Sequence, residues 1–110
     1  RVVRIFEGRA GEEARNRYAC RVLQRLIGCG PEEMIAGLVM ELSKEVVQLS
    51  LDQNGNHVIQ KCFSYPALVE HVVTGYRGHI LTVARHVYGC RVLQRLLQVN
   101  GERLLAKKEQ

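Results

Sequence analysis

The stretch YACRVLQRL at residues 18–26 recurs almost unchanged as YGCRVLQRL at residues 88–96. A looser copy, NGNHVIQKCF, occupies residues 54–63, and the three copies begin 36 and 34 residues apart. Repetition at a period of about 20–50 residues is typical of stacked repeat proteins. The chain is therefore predicted to be an array of similar units.

The apolar pattern continues this repeat outside the three copies. A shift of 34 residues superimposes the apolar positions of residues 34–49 on those of residues 68–83. Apolar residues at helical spacing predict two main helices in each unit, joined by a short helical or turn segment. Pro31 and Pro66 stand where the first long helix of a unit is expected to begin, which is a favoured position for proline. The predicted fold class is all-α, an α-solenoid of helical repeats.

The units are predicted at about residues 1–30, 31–65 and 66–99, with residues 100–110 as the start of a further repeat. Acidic residues replace apolar ones at residues 11–13, so we expect the short segment of the first unit to be distorted or exposed. A stacked array needs polar capping repeats, and neither end resembles one. We therefore interpret the chain as a segment of a longer solenoid; a free-standing protein of three units is the alternative.

Composition narrows the class of protein only slightly. The 110 residues are 46% hydrophobic and 25% charged, which is ordinary for a folded soluble domain. A net charge of +5 and a pI near 9.3 favour an anionic partner without identifying it. No apolar run approaches the roughly 18 residues of a membrane span, so we expect no membrane partner.

The cysteines and charged residues give no sign of a metal site or of catalysis. None of the cysteines forms a Cys-x-x-Cys pair, so a reduced intracellular protein is a simpler interpretation than a disulfide framework or a zinc site. No Gly-rich phosphate loop, paired acids or nucleophile with a basic partner occurs in the sequence. We therefore expect no enzymatic activity, no cofactor and no small-molecule substrate.

Each copy of the motif predicts an amphipathic helix. At about 100° per residue, one side of each helix is apolar and is expected to face the core. Those residues are Val22, Leu23, Leu26 and Ile27, then Val58, Ile59, Cys62 and Phe63, then Val92, Leu93, Leu96 and Leu97. The other side carries a polar triplet at positions i, i+1 and i+4. The three triplets are Cys20, Arg21 and Gln24; Asn56, His57 and Gln60; and Cys90, Arg91 and Gln94.

The triplets have the chemistry expected of a surface for flat ligand groups. Side chains at i and i+4 project side by side, so each pair can hold the edge of one group. The i+1 residue is a planar guanidinium or imidazole, which can stack between successive groups. A glutamine amide offers both a donor and an acceptor, as a base edge requires. Flat groups with patterned edges on an anionic strand describe single-stranded nucleic acid.

The chain resembles the Pumilio-homology (PUF) RNA-binding repeat family over essentially its whole length. The resemblance lies in YACRVLQ, DQNGNHVIQKC and VYGCRVLQ at their spacing of 34 and 36 residues. It implies a right-handed superhelical, armadillo-like α-solenoid in which each repeat reads one base of RNA. In the family's usual code, Cys with Gln reads adenine, Asn with Gln reads uracil, and Ser with Glu reads guanine.

Carried over to this sequence, the resemblance implies a role for each triplet residue. The residues implied to contact base edges are Cys20, Gln24, Asn56, Gln60, Cys90 and Gln94. Those implied to stack on bases are Arg21, His57 and Arg91. The implied RNA core is 5′-AUA-3′, with the strand antiparallel to the protein. For five further cations, Arg15, Arg25, Lys61, Arg85 and Arg95, phosphate contact and packing between units remain open alternatives.

The resemblance further implies a place in post-transcriptional regulation. The partner would be the 3′ untranslated region (3′-UTR) of mRNA, and deadenylase or translational-repressor proteins would join it to repress translation, with the chain in the cytoplasm. Two other functions stay open. One is a PUF-like nucleolar protein that binds nucleic acid non-specifically in ribosome biogenesis; the other is a protein-binding helical-repeat scaffold. The intact triplets disfavour both.

Overall fold

Nine helices and the turns between them form the backbone of residues 2–109 in the computed structural model, which describes the side chains of residues 3–100. The helices are α1 (Val2–Ile5), α2 (Ala10–Ala14), α3 (Ala19–Cys29), α4 (Glu32–Ser43), α5 (Val46–Ser50), α6 (Gly55–Cys62), α7 (Pro66–Thr74), α8 (Ile80–Ala84) and α9 (Gly89–Glu109). No strand occurs between residues 2 and 109. The all-α prediction is confirmed for this part of the chain.

The helices repeat in threes, as the sequence predicts. In the second unit a long helix, α4, is followed by the short helix α5 and by the motif helix α6. Helices α1, α4 and α7 pack side by side in one layer, and α3, α6 and α9 form a second layer. Each short helix packs on the motif helix that follows it. The result is an elongated stack measuring 43 × 29 × 19 Å.

Proline begins the long helices of the second and third units. Pro31 has an extended backbone with ψ of 147°, and α4 starts at the next residue. Glu32 and Glu33 then occupy the first turn of α4, where the helix dipole favours negative charge. Pro66 is itself the first residue of α7, a position at which no intrahelical N–H is lost. Both predicted helix starts are confirmed.

The short segment of the first unit is a regular helix, so the expectation of distortion is wrong. α2 has five residues, like α5 and α8, and its Gly11 is buried. Gly11 takes the place of an apolar side chain because the Glu45 carboxylate occupies the space that a Cβ there would fill. Arg15 then pairs with Glu45 at 3.0 Å, and the Glu41 carboxylate accepts hydrogen bonds from the amides of Gly8 and Ala10 at 2.8 Å. These polar contacts add to the apolar core that the first two units share.

Two residues of the predicted core are exposed. Val22 is 50% exposed, although Val58 and Val92 at the corresponding positions are buried. Leu97 is 61% exposed, although Ile27 and Phe63 are its buried counterparts. The reason is stacking: among the described residues, α3 has no motif helix before it and α9 has none after it. The remaining ten predicted core positions are buried or half-buried.

The last helix differs from the other motif helices in having no break. α3 ends at Cys29 and α6 at Cys62, but α9 continues to Glu109, through residues predicted to begin a further repeat. Gly101 stands where Pro31 and Pro66 stand in the earlier units, so no proline interrupts the helix. Within residues 2–109, no helix is both long enough and apolar enough to cross a bilayer.

Candidate nucleic-acid interface

The same type of turn starts every motif helix. Asn16, Asp52 and His86 occupy corresponding positions, three residues before the first residue of each helix. Each accepts hydrogen bonds from the backbone amides two and three residues later, at distances between 2.7 and 3.4 Å. These bonds satisfy N–H groups that the first helical turn leaves without partners. The acceptor fixes where the helix begins and hence where the triplet lies.

Close packing against the short helix fixes the start of two motif helices further. A Cβ on Gly55 would lie 2.8 Å from the carbonyl oxygen of Leu49, and one on Gly89 would lie 2.3 Å from that of Val83. Real side chains do not approach backbone oxygens so closely. Glycine therefore lets the backbones of α5 and α8 lie directly against the first turns of α6 and α9.

A cavity of about 450 Å³ brings the first triplet together with the second. Cys20 and Gln24 line it from α3, with Arg21 beside them and His57 contributed by α6. Arg21 and His57 are exposed, and the Gln24 amide has no hydrogen-bond partner among the described side chains. The predicted base-edge pair and two of the predicted stacking groups therefore share one cavity.

The second triplet is joined by hydrogen bonds. The Asn56 amide donates to the carbonyl oxygens of Asp52 at 2.8 Å and Gln53 at 3.0 Å. Its Oδ1 accepts a hydrogen bond from Gln60 Nε2 at 3.2 Å. Gln60 is half-buried and His57 exposed. Asn56 thus holds the Gln60 amide against the start of α6.

Two of the residues predicted on the outer surface are buried instead. Cys20 is 4% exposed and Asn56 is 1% exposed, whereas Cys90 is half-buried. In each triplet the first side chain turns back to the carbonyl oxygen three residues earlier. The Sγ atoms of Cys20 and Cys90 lie 3.5 Å from their acceptors, the carbonyls of Arg17 and Val87. This local bond turns the side chain towards the protein, which a helical projection does not reveal.

The third triplet lies at the start of α9. Arg91 and Gln94 are exposed, and the Gln94 amide has no partner in the part of the chain whose side chains are described. Cys90 and Gln94 are one helical turn apart, as their spacing predicts. The arrangement of this triplet matches the first, except that Cys90 is less deeply covered.

Three further residues line the first cavity, and the sequence analysis did not identify them. Arg17, Gln53 and Asn54 lie beside the triplet residues. Arg17 and Gln53 occupy the same repeat position, three residues before the triplet. A polar residue at that position could therefore have indicated that it lines the cavity. The Asn54 amide donates to the carbonyl oxygen of Arg15 at 2.9 Å and ties the second unit to the first.

A second cavity, of about 500 Å³, lies beside the first and shares Arg21 and Gln24 with it. Its other lining residues are Arg25, Gly28, Cys29 and Lys61. Of the five ambiguous cations, Arg15 packs between units through its bonds to Gly11 and Glu45. Arg25 and Lys61 line this cavity instead.

The histidines and cysteines form no metal site in the described part of the chain. His86 is structural, because its Nδ1 accepts the two amide hydrogen bonds that start α9. Cys62 is fully buried, and burial raises the pKa of its thiol from 9.0 to about 12. A thiol with so high a pKa is inert as a nucleophile near neutral pH.

The chain is similar to solved and curated proteins along most of its length. It matches "Suppressor protein MPT5" of Saccharomyces cerevisiae at 36% identity over 97 residues, which is 76% of this chain and 11% of that protein. It matches "Pumilio homolog 1" of Xenopus laevis at 40% identity over 60 residues, which is 53% of this chain and 5% of that protein. The chain therefore spans only a small part of these relatives.

Two solved structures superimpose on the model. One is the Puf3 RNA binding domain bound to the Cox17 RNA 3′ UTR recognition sequence site B, with a TM-score of 0.79 and 39% identity; the match covers 88% of this chain and 28% of that one. The other is the Puf4 RNA binding domain bound to the HO endonuclease RNA 3′ UTR recognition sequence, with a TM-score of 0.81 and 36% identity, over 87% of this chain and 31% of that one.

The model of the Pumilio-family RNA binding repeat matches residues 14–43, 45–71 and 79–104. Each matched segment contains most or all of one motif helix, and the first two also include residues of the long helix that follows. These segments make up more than half of the chain, and they confirm the predicted family. The chain belongs to the family of proteins built from Pumilio-family RNA binding repeats.

Proposed function

We propose that this chain binds single-stranded RNA selectively, reading one base with each repeat. The observation that carries the proposal is the cavity that Cys20 and Gln24 line together with the planar groups of Arg21 and His57. Membership of the family and the likeness to RNA-bound Puf3 and Puf4 domains support it. Reading bases one per repeat is a known mode of RNA recognition by helical repeats.

Adenine is the base proposed for the cavity of the first unit. The Gln24 amide has a free donor and a free acceptor, which match the N6 amino group and N1 of the adenine edge. Cys20 is small and buried, so it contributes shape rather than a strong hydrogen bond. Arg21 on one face and His57 on the other stack on the base, and each such contact contributes about 1–3 kcal/mol.

The second and third units are proposed to read uracil and adenine. Gln60, held by Asn56, presents the amide that pairs with uracil, and Gln94 beside Cys90 repeats the chemistry of the first unit. Arg91 completes the row of stacking groups. With the RNA antiparallel to the protein, the third unit takes the 5′ base and the core is 5′-AUA-3′. The role we propose is non-enzymatic: repression of mRNAs through their 3′-UTRs in the cytoplasm, together with deadenylase or translational-repressor proteins.

Exchanging two side chains in one unit tests both the code and the strand direction. The wild-type protein is expected to prefer CCCAUACCC over CCCAUGCCC and CCCGUACCC in fluorescence anisotropy. Cys20→Ser with Gln24→Glu should move the preference to CCCAUGCCC, because the glutamate accepts hydrogen bonds from the guanine edge. The matched variant, Cys90→Ser with Gln94→Glu, should move it to CCCGUACCC.

The outcomes of this experiment distinguish an error in the strand direction from an error in the code. If each variant prefers guanine at the opposite end, the code stands and the strand runs parallel to the protein. Equal affinity for all three RNAs, before and after both exchanges, would contradict base-by-base reading. Circular dichroism of each variant checks that the helices are intact.

A further inference from the structure

The second cavity concentrates positive charge beside the base-reading cavity. Arg21 and Arg25 reach it from α3, and Lys61 reaches it from α6. The remaining lining residues are Gln24, Gly28 and Cys29, so no acid is present among the described residues that line the cavity. Three cations therefore meet at one concave surface between two repeats.

These three cations have no partner within the protein. Their side chains make no ion pair or hydrogen bond with any side chain or carbonyl of the described residues. Only two cations of the described residues form ion pairs: Arg9 with Glu13 at 2.9 Å, and Arg15 with Glu45 at 3.0 Å. Like charges that converge without compensation attract an anion, and a concave site strengthens that attraction.

The ammonium group of Lys61 lies close to Gly28. A Cβ at this position would lie 3.8 Å from Lys61 Nζ, which is ordinary contact distance. Ser64 and Gln98 stand at the corresponding positions of the next two units. Only the first of the three units therefore has no side chain at this position.

We infer that this cavity binds a phosphodiester group of the RNA strand, next to the base held by Cys20 and Gln24. The inference rests on the proposed function, because the strand is what brings a phosphate to this place. Arg21 lines both cavities, so its guanidinium can lie against the base while its N–H groups point to the phosphate. Arg25 and Lys61 complete the charge around the phosphate, and charge-assisted hydrogen bonds to phosphate are among the strong ones.

The test replaces single phosphates as well as side chains. In a set of CCCAUACCC oligonucleotides, each linkage in turn carries an uncharged methylphosphonate. The wild-type protein should lose at least several-fold in affinity when one of the two linkages that flank the 3′ adenine is neutral. The Arg25→Gln/Lys61→Gln variant should show a smaller difference between that RNA and the unmodified RNA, because only Arg21 is left to contact the phosphate. Its dependence of log K on log salt should be shallower by up to about 0.7, since the cavity holds one phosphate and each phosphate neutralised on a single strand contributes about 0.7.

The control variant is Arg77→Gln. Arg77 lines a different cavity, with Val69, Leu96 and Leu97, so its replacement removes one positive charge elsewhere on the protein, against two in the double variant. This variant should keep both the methylphosphonate effect and the salt slope of the wild type. An unchanged slope in Arg25→Gln/Lys61→Gln, with wild-type preference for AUA retained, would overturn the inference.

Two further outcomes identify what failed. Wild-type protein that binds RNA without base preference, or not at all, contradicts the proposed function and removes the basis of this inference. A different outcome is that inorganic phosphate at matched ionic strength stabilises the wild type against thermal unfolding while no methylphosphonate linkage changes the affinity for RNA. That result assigns the cavity to a free anion and overturns the RNA assignment. Retained preference for adenine over guanine in Arg25→Gln/Lys61→Gln supports a contact that holds the strand without reading it.

Discussion

The hydroxyl oxygens of Ser50 and Tyr76 lie 2.7 Å apart, and both residues are fully buried between the second and third units. This hydrogen bond is absent from the junction of the first and second units, since Ala14 and Leu42 stand at the corresponding positions there. A buried hydroxyl is stable only while it has a partner. The junction therefore depends on the pair rather than on either residue.

We expect the loss of one of these hydroxyl groups to lower the free energy of unfolding by more than the loss of both. Tyr76→Phe should lower the free energy of unfolding by about 1–3 kcal/mol, because the Ser50 hydroxyl stays buried without its partner. Ser50→Ala should do the same to the Tyr76 hydroxyl. The double variant should be more stable than the sum of the single effects predicts. Urea denaturation of all four proteins measures this coupling, and strictly additive effects would contradict it.

Alkaline pH is expected to destabilise the fold through two buried acids. Burial raises the pKa of Tyr76 from 10.0 to about 12; the hydrogen bond from Ser50 opposes this rise and the nearby Cys62 adds to it. The Cys62 thiol rises from 9.0 to about 12. Because the folded state holds these protons more tightly, their contribution is complete below pH 9 and is lost towards pH 12. Each proton contributes a slope of up to about 1.4 kcal/mol per pH unit.

Cysteine variants distinguish the contribution of Cys62 to this pH dependence from that of Tyr76. Between the ordinary thiol and phenol pKa values of 9.0 and 10.0, the slope should come mainly from Cys62. Cys62→Ala should flatten the decline of stability in that interval, whatever it does to the absolute stability. Cys29→Ala is the matched control, because Cys29 is exposed. Equal slopes in the two variants would refute the assignment to Cys62.

The glycines at the starts of α6 and α9 are expected not to tolerate a methyl group. Gly55→Ala and Gly89→Ala should each lower the free energy of unfolding by more than about 1 kcal/mol, because the new Cβ meets a backbone oxygen of the short helix. Gly37 lies inside α4 with nothing within 4 Å of its Cβ position. Gly37→Ala should therefore stabilise the protein by up to about 1 kcal/mol. Thermal denaturation ranks the three variants by stability. Destabilisation by Gly37→Ala alone would contradict the expected ranking.

The acceptor before α9 is expected to be replaceable by an amide. His86→Ala should cost about 1 kcal/mol, because two backbone amides at the start of the helix lose their partner. His86→Asn should recover most of that loss, since Asn16 performs the same role in the first unit. Chemical denaturation compares the two variants. Equal stability of both would contradict a capping role for His86.

The imidazole of His57 is expected to contribute to affinity and not to base choice. His57→Ala should weaken binding of CCCAUACCC by about 1–3 kcal/mol, because one stacking face of the first cavity is lost. His57→Tyr should retain most of the affinity. Preference for adenine over guanine should be the same in both variants and the wild type. A change of base preference in His57→Ala would assign His57 to the base edge instead.

Repetition made most of the architecture predictable. Because the apolar pattern recurs at a fixed interval, the order of long, short and motif helices follows from the sequence, as do the starts at Pro31 and Pro66. The burial of Val58 was predicted from its motif copy, but the exposure of Val22 at the corresponding position was not. Exposure at these positions depends on whether a neighbouring motif helix is stacked there.

The site was predictable in its spacing and less so in its orientation. The positions of Gln24 and His57 follow from helical geometry, and the cavity they share agrees with it. Cys20 and Asn56 were placed on the outer face, but each bonds to a carbonyl of the preceding turn. Such local bonds compete with projection to solvent, and a residue's distance from the helix start decides which prevails.

One repeat position holds three chemically different residues, Asn16, Asp52 and His86. The three units therefore differ at this position although their helices are arranged alike. Asn16 offers an amide oxygen, Asp52 a carboxylate oxygen and His86 a ring nitrogen to the backbone amides at the start of its own helix. All of these bonds close within three residues, so a change at one motif helix leaves the start of the next intact. Each unit of the array thus has its own tolerance of substitution at the helix start, and can be altered without re-engineering its neighbours.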